Sequence, residues 1–245
     1  MSSEIFILLF TTASIAFMHT ILGPDHYLPF IVLSKARKWN KIKTIWITIV
    51  CGIGHVGSSI AIGFIGIAAG VALSRLQYFE SIRGNIAGWL FIGFGLAYAL
   101  WGLRRAFNNK PHTHAHLHLS GEKHDHEHTH FVEHAHGHFV ENEEQTEKIQ
   151  YKNLTPWILF LIFVLGPCEP LIPLVMFPAL RHDTAGVVGV SLTFSIITII
   201  TMTTSVLLMT TGIKFIKLGQ LEKYSHALAG ATIFLSGVAI QFLGL

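Results

Sequence analysis

Asp25 and His26 stand side by side within an apolar run, in "HTILGPDHYLPF" from His19 to Phe30. Carboxylate and imidazole bind metal ions and carry protons, and a charge at bilayer depth costs at least about 2.5–3.5 kcal/mol on insertion scales. A cation site is the chemistry that such residues in such a place suggest. A second stretch, "LGPCEPLIP" from Leu165 to Pro173, repeats the lead-in and places a thiol and a carboxylate, Cys168 and Glu169, after its Gly-Pro pair. A third, "CGIGHVGSS" from Cys51 to Ser59, adds His55, with Cys51 and Ser58 or Ser59 on the same helical face. The candidate metal residues are therefore His19, Asp25, His26, His55, Cys168 and Glu169, with Cys51 read as a packing residue. Nitrogen, oxygen and sulfur donors together suit late first-row metals better than Mg2+ or Ca2+.

A different cluster holds 11 of the 16 histidines. They alternate with other residues as His112, His114, His116 and His118, then His124, His126, His128 and His130, then His134, His136 and His138. Alternation would set them on one side of a strand, but the surroundings are too polar and acidic to form a core. A disordered, solvated loop is expected. Imidazoles with a reference pKa of about 6.5 are mostly neutral near pH 7, so the tract is a ligand for nickel, cobalt, zinc or copper.

The elements that must position these groups are membrane spans. Only 13% of residues are Asp, Glu, Lys or Arg, against about 25% in soluble domains. The charges gather between long apolar runs. Six runs can be drawn, Ile5–Leu33, Thr44–Leu73, Asn85–Leu103, Leu154–Leu180, Ala185–Ile213 and His226–Leu245; a span needs about 20 residues. The N-terminus lacks a basic leader and is read as the start of the first span. Gly23-Pro24 and Gly166-Pro167 interrupt the first and fourth runs. Each proline removes a helical hydrogen bond, freeing the carbonyl of Thr20 or Phe163. Freed backbone groups at membrane depth are tolerated where they face protein or a wet cavity.

Fourteen of the 17 Lys and Arg residues fall in the loops after the first, third and fifth runs. That asymmetry puts both termini outside and the histidine loop in the cytoplasm. With three spans per half, the second half enters from the opposite side, an inverted repeat with its site at the matched breaks. The expected fold is all-α and polytopic: six transmembrane helices as a 3+3 inverted repeat with helices 1 and 4 broken. Residues 1–104 form the first repeat, 105–153 the loop and 154–245 the second repeat.

The His19/Asp25-His26 element, the Gly54-His55-Val56-Gly57-Ser58-Ser59 element and a histidine-rich loop before the fourth span together resemble the NicO-type nickel/cobalt exporters. The layout is also similar to the related urease-accessory-type and sulfite-exporter-type membrane proteins. The resemblance implies Ni2+ or Co2+ efflux across a bacterial inner membrane, with His19, Asp25, His26 and His55 on the metal path. Five residues separate His19 from Asp25, one more than the usual nickel-permease pattern. "GPCEPLIPL" also resembles the Pro-Cys-x-x-Pro element of transmembrane thiol–disulfide carriers, although Asp25 stands where those proteins need a second cysteine.

The leading expectation is thus a divalent-metal transporter for nickel or cobalt, with Zn2+ also compatible, working as an exporter. No Walker-type nucleotide loop is present, so coupling would come from protons, which compete with metal for Asp25 and Glu169, or from a partner. Two alternatives remain: an electron carrier using Cys168 with Cys51, and a small-anion exporter with a metal-sensing loop. The formal charge of +3 is too small to suggest nucleic acid.

Overall fold

The computed structural model describes residues 3–108, 112–117, 123–128, 154–213 and 219–243. Its helices are α1 (Ser3–Leu22), α2 (Leu28–Ala36), α3 (Lys41–Ala68), α4 (Leu73–Asn108), α5 (Leu154–Leu165), α6 (Leu171–Leu180), α7 (Thr184–Ile213) and α8 (Ser225–Leu243). A 3-10 turn, Pro24–His26, lies between α1 and α2, and another, Gly219–Tyr224, precedes α8. Among the described residues, five helices are long and apolar enough to cross a membrane: α1, α3, α4, α7 and α8. α5 and α6 are shorter apolar helices. Phe6, Phe10, Trp46, Ile65, Trp89, Leu192 and Leu208 are all more than half exposed. Outward faces so apolar are what a hydrocarbon solvent requires.

Small residues let the helices approach. Gly88, Gly95 and Gly102, seven apart on α4, face α8. A Cβ on Gly95 would collide with the Phe234 backbone, one on Gly102 with that of Ala227, and one on Gly230 with that of Ala99. The two helices run antiparallel in near backbone contact, where dispersion replaces the missing hydrophobic drive. α1 packs on α7 and α5 on α3, α3 meets α7, and α2 and α6 reach α8 and α4 respectively.

Helix ends show a further regularity. α2 ends with Lys38 at φ 51° and α6 with His182 at φ 56°. Behind each left-handed residue the next amide turns back five residues, Trp39 to the Ser34 carbonyl and Asp183 to that of Pro178. Both are Schellman-type stops, built without the usual glycine. α3 ends the same way through Gly70, at φ 65°. Its start is capped by Asn40, whose side chain accepts the Lys43 amide at 2.7 Å, a contact of about 1 kcal/mol.

Two boundaries differ from the sequence reading. α4 begins at Leu73, well before the expected Asn85, and runs past residue 104 to Asn108. Its first turns carry Arg75, Gln77, Glu80, Ser81 and Arg83, so hydropathy hides a helical stretch in which Glu80 and Arg83 pair with each other. Within the histidine tract, His112–Leu117 and Lys123–His128 form β1 and β2, an antiparallel pair in which His112 is opposite His128, His114 opposite His126 and His116 opposite His124. Strict alternation suits extended backbone, which is why these segments pair instead of lying irregular. His118, His130, His134, His136 and His138 lie outside the described residues.

Candidate metal centre

Two helices and two interruptions converge on one point. His19 comes from the last turn of α1, His26 from the 3-10 turn after it, His55 from the middle of α3 and Cys168 from the break between α5 and α6. His19, His55 and Cys168 each offer a ligand atom within 4.8 Å of the others. An ion holding nitrogen and sulfur at about 2.0–2.3 Å needs only modest further convergence. The His26 ring stands edge-on to both other rings, with centroids 4.9 Å from His19 and 5.0 Å from His55. Seven residues apart on an unbroken helix, His19 and His26 would sit about 10 Å from each other along the axis. Leaving the helix at Gly23 removes that separation.

The hydrogen bonds fix which nitrogens are free. His26 Nδ1 lies 3.2 Å from the Gly23 carbonyl and 3.2 Å from Asp25 Oδ1. His55 Nδ1 lies 3.3 Å from the Phe163 carbonyl. A carbonyl only accepts, so these are hydrogen bonds when Nδ1 carries the proton. Each Nε2 then presents a lone pair. Nε2 of His19, His26 and His55 are all buried with no hydrogen-bond partner. Buried polar atoms are almost always satisfied, and three orphaned imidazole nitrogens together are an exception that calls for a ligand. A ring held through Nδ1 and open at Nε2 is the usual posture of a metal-binding histidine with its outer support.

The backbone contact at His55 has a local cause. Pro167 has no amide to give the Phe163 carbonyl, the freed acceptor expected from sequence. His55 takes that place, together with the Gly166 amide at 3.1 Å. The glycine leaves little room beside it, since a Cβ on Gly166 would lie 3.1 Å from His55 Nδ1 and the ring would have to give by a few tenths of an ångström. On the other side a Cβ on Gly23 would lie 2.5 Å from His26 Nδ1.

Not every candidate joins the cluster. Asp25 reaches His26 Nδ1, which makes it a support for that ring. Glu169 is exposed and lines a cavity of about 520 Å3 with His19, Asp25, His26, Gly166 and Pro167. The remaining walls include Ser81, Asn85 and Gln241. The α4 residues that line it, Ser81 to Phe91, stand toward the end of that helix remote from the histidine tract. Cys51 is a free thiol in a core cluster with Phe30, Met202 and Phe163. Cys168 belongs to another, with Ala16, Val56 and Phe194. On α7, Thr198 and Met202 are completely buried.

Sequence reasoning missed Glu80 and Arg83. Glu80 is fully buried and ion-paired with Arg83, directly behind Cys168. An acid and a base three residues apart in a stretch read as a loop gave no signal beyond that helical spacing. In comparisons with known proteins, the chain matches no family model, no curated protein and no solved structure.

Proposed function

We propose that this chain exports a divalent transition-metal ion, nickel or cobalt, through a site made by His19, His26, His55 and Cys168. The observation that carries the reading is the set of three buried imidazole nitrogens without partners, beside a thiol that lies within 4.8 Å of a ring nitrogen of His19 and of one of His55. Neutral nitrogen and sulfur donors favour late first-row metals and disfavour Mg2+ and Ca2+. Asp25 orients His26 and offsets part of the cation's charge. Glu169 lies on the cavity rim, on the route between site and solvent.

In this reading α1 with α2, and α5 with α6, are two interrupted spans, giving six in all. Exchanging α1 with α5, α2 with α6, α3 with α7 and α4 with α8 carries the α1–α7 contact onto α5–α3 and the α2–α8 contact onto α6–α4. The matched Schellman ends of α2 and α6 support the same 3+3 inverted repeat. Such repeats hold cargo at discontinuous helices and expose it alternately to the two sides. With the basic loops in the cytoplasm of a bacterial cell and both termini outside, the α4 residues that line the cavity stand toward the outer side. The histidine tract would then collect metal on the entry side. This is the layout of the NicO-type exporters, to which the motifs bear their likeness.

Flux in proteoliposomes of known orientation tests the proposal, using Ni2+, Co2+ and Zn2+ with and without an imposed pH gradient. Net movement of Ni2+ or Co2+ from the loop side to the opposite side is expected. Monodisperse protein that moves none of the three would overturn it.

A further inference from the structure

An unbroken helix through Leu165 would join the Cys168 amide to the Val164 carbonyl, four residues back. Here both groups are diverted to side chains of α4. The Cys168 amide donates to Glu80 Oε2 at 3.0 Å, and Arg83 donates to the Val164 carbonyl at 2.8 Å and the Gly166 carbonyl at 3.2 Å. The ion pair thus stands in for the missing helical hydrogen bond. It is anchored to α3 as well: Ser59 donates to Glu80 Oε2 at 3.1 Å, and Arg83 reaches Ser58 Oγ at 2.6 Å and Ser59 Oγ at 3.2 Å. Ser58 and Ser59 lie one turn beyond His55 on that helix. α4 passes close enough to require glycine, since a Cβ on Gly84 would lie 2.8 Å from Pro167 Cγ.

A buried ion pair is weak evidence for stability, because apolar replacements of similar volume are often neutral or better. Ionisable groups at such depth are expensive and mark function. These two converge on the backbone flanking one candidate ligand. We propose that Glu80 and Arg83 are positioning residues that insert between Val164 and Cys168 and hold the thiol among the His19 and His55 imidazoles. The functional meaning rests on the metal reading above, while the placement of the thiol can be measured without metal.

Two measurements on the purified full chain separate the two ideas. The first is the alkylation rate of Cys168 by N-ethylmaleimide in metal-free protein, followed by mass spectrometry with buried Cys51 as the internal control. Glu80→Ala should raise the Cys168 rate by roughly 10-fold or more, the factor that about 1.4 kcal/mol represents, and leave Cys51 unchanged. Glu80→Gln keeps an acceptor for the amide and should stay near wild type. Arg83→Lys, which cannot span both carbonyls, should fall between and serves as the second variant should Glu80→Ala not remain monodisperse. The second is Co2+ titration, in which thiolate-to-cobalt charge transfer reports Cys168 and ligand-field bands report the ion. Glu80→Ala should lose the former and keep the latter.

A wild-type alkylation rate in whichever of Glu80→Ala and Arg83→Lys is monodisperse overturns the positioning role. So does a charge-transfer band that persists unchanged in them, with the metal reading left standing. Should wild-type protein bind no Co2+ while alkylation responds as expected, positioning stands and the metal reading falls.

Discussion

At the first interruption the contacts come from near neighbours. After Gly23 the His26 amide returns to the Gly23 carbonyl at 3.1 Å, and Asp25 and the same carbonyl hold the His26 ring. All of these contacts span three residues or fewer. At the second interruption, which opens with the same Leu-Gly-Pro, the freed groups are met from far away. His55, Glu80 and Arg83 supply the partners across sequence separations of 81 to 108 residues. The stretch from Gly-Pro to the left-handed helix stop is also one residue longer there. One signature thus has two physical solutions, a self-contained turn bearing one candidate donor and its carboxylate support, and a socket that exists only when α3 and α4 are in place.

His55 belongs to both, since its Nδ1 holds the second break while its ring faces His26 of the first. Its loss should therefore give the largest effect. His55→Ala is expected to lower Ni2+ or Co2+ affinity by more than about 100-fold, beyond the 10–100-fold typical of losing an outer-shell partner. Competition titration against a chelator of known affinity measures it. An unchanged affinity would mean that the two breaks do not share an ion.

The self-contained break should show the intermediate effect. Asp25→Asn keeps the size of the side chain but removes the charge that supports His26, and a loss of about 10–100-fold in metal affinity is expected. A loss as large as that of His55→Ala would instead make Asp25 a direct ligand, in keeping with the sequence reading and against its contact with Nδ1. The two titrations together rank ring support against ligation.

The same contrast explains what could be read from the sequence. Residues that act on near neighbours were legible: Gly23, Pro24, Asp25 and His26 announce themselves within four positions. His55 was legible through its place in an apolar run. The convergence of His19 with Cys168 was not, because it depends on where α1 and α5 stand relative to α3. Glu80 and Arg83 were hidden for a related reason. Their charges lower the hydropathy of α4's first turns, so the segment reads as a loop unless the partners at Ser59, Val164 and Cys168 are known. The glycines that bring α4 against α8 have heptad spacing in the sequence, but nothing local names the partner helix. Membrane spans follow from composition because lipid acts on every residue alike; a polar socket follows from particular pairings.

Backbone freedom offers a smaller test of the two solutions. A methyl group on Gly23 would press on His26 Nδ1 at 2.5 Å, inside any normal contact, whereas one on Gly166 would meet His55 Nδ1 at 3.1 Å. Gly23→Ala is expected to cost about 1–3 kcal/mol, the range for overpacking, and Gly166→Ala less. Thermal unfolding in detergent, with and without Ni2+, measures both. Equal destabilisation would show that the first turn yields as readily as the second socket, and the distinction between them would fail.

The smallest effect is expected at Glu169, and it bears on whether matched positions have matched roles. Glu169 aligns with His26 when the two Leu-Gly-Pro motifs are superposed, yet it is exposed on the cavity wall while His26 is 3% exposed. An exposed carboxylate near a cavity mouth attracts cations by a field that salt screens over about 8–10 Å. It adds little to a bond made deeper in the protein. Glu169→Gln should therefore leave equilibrium affinity within roughly twofold and slow ion entry more at low ionic strength than at high, a rim-charge signature. Stopped-flow binding of Co2+ at two salt concentrations reads both quantities. A large, salt-independent fall in affinity would place Glu169 among the ligands and restore the symmetry that the two breaks otherwise lack.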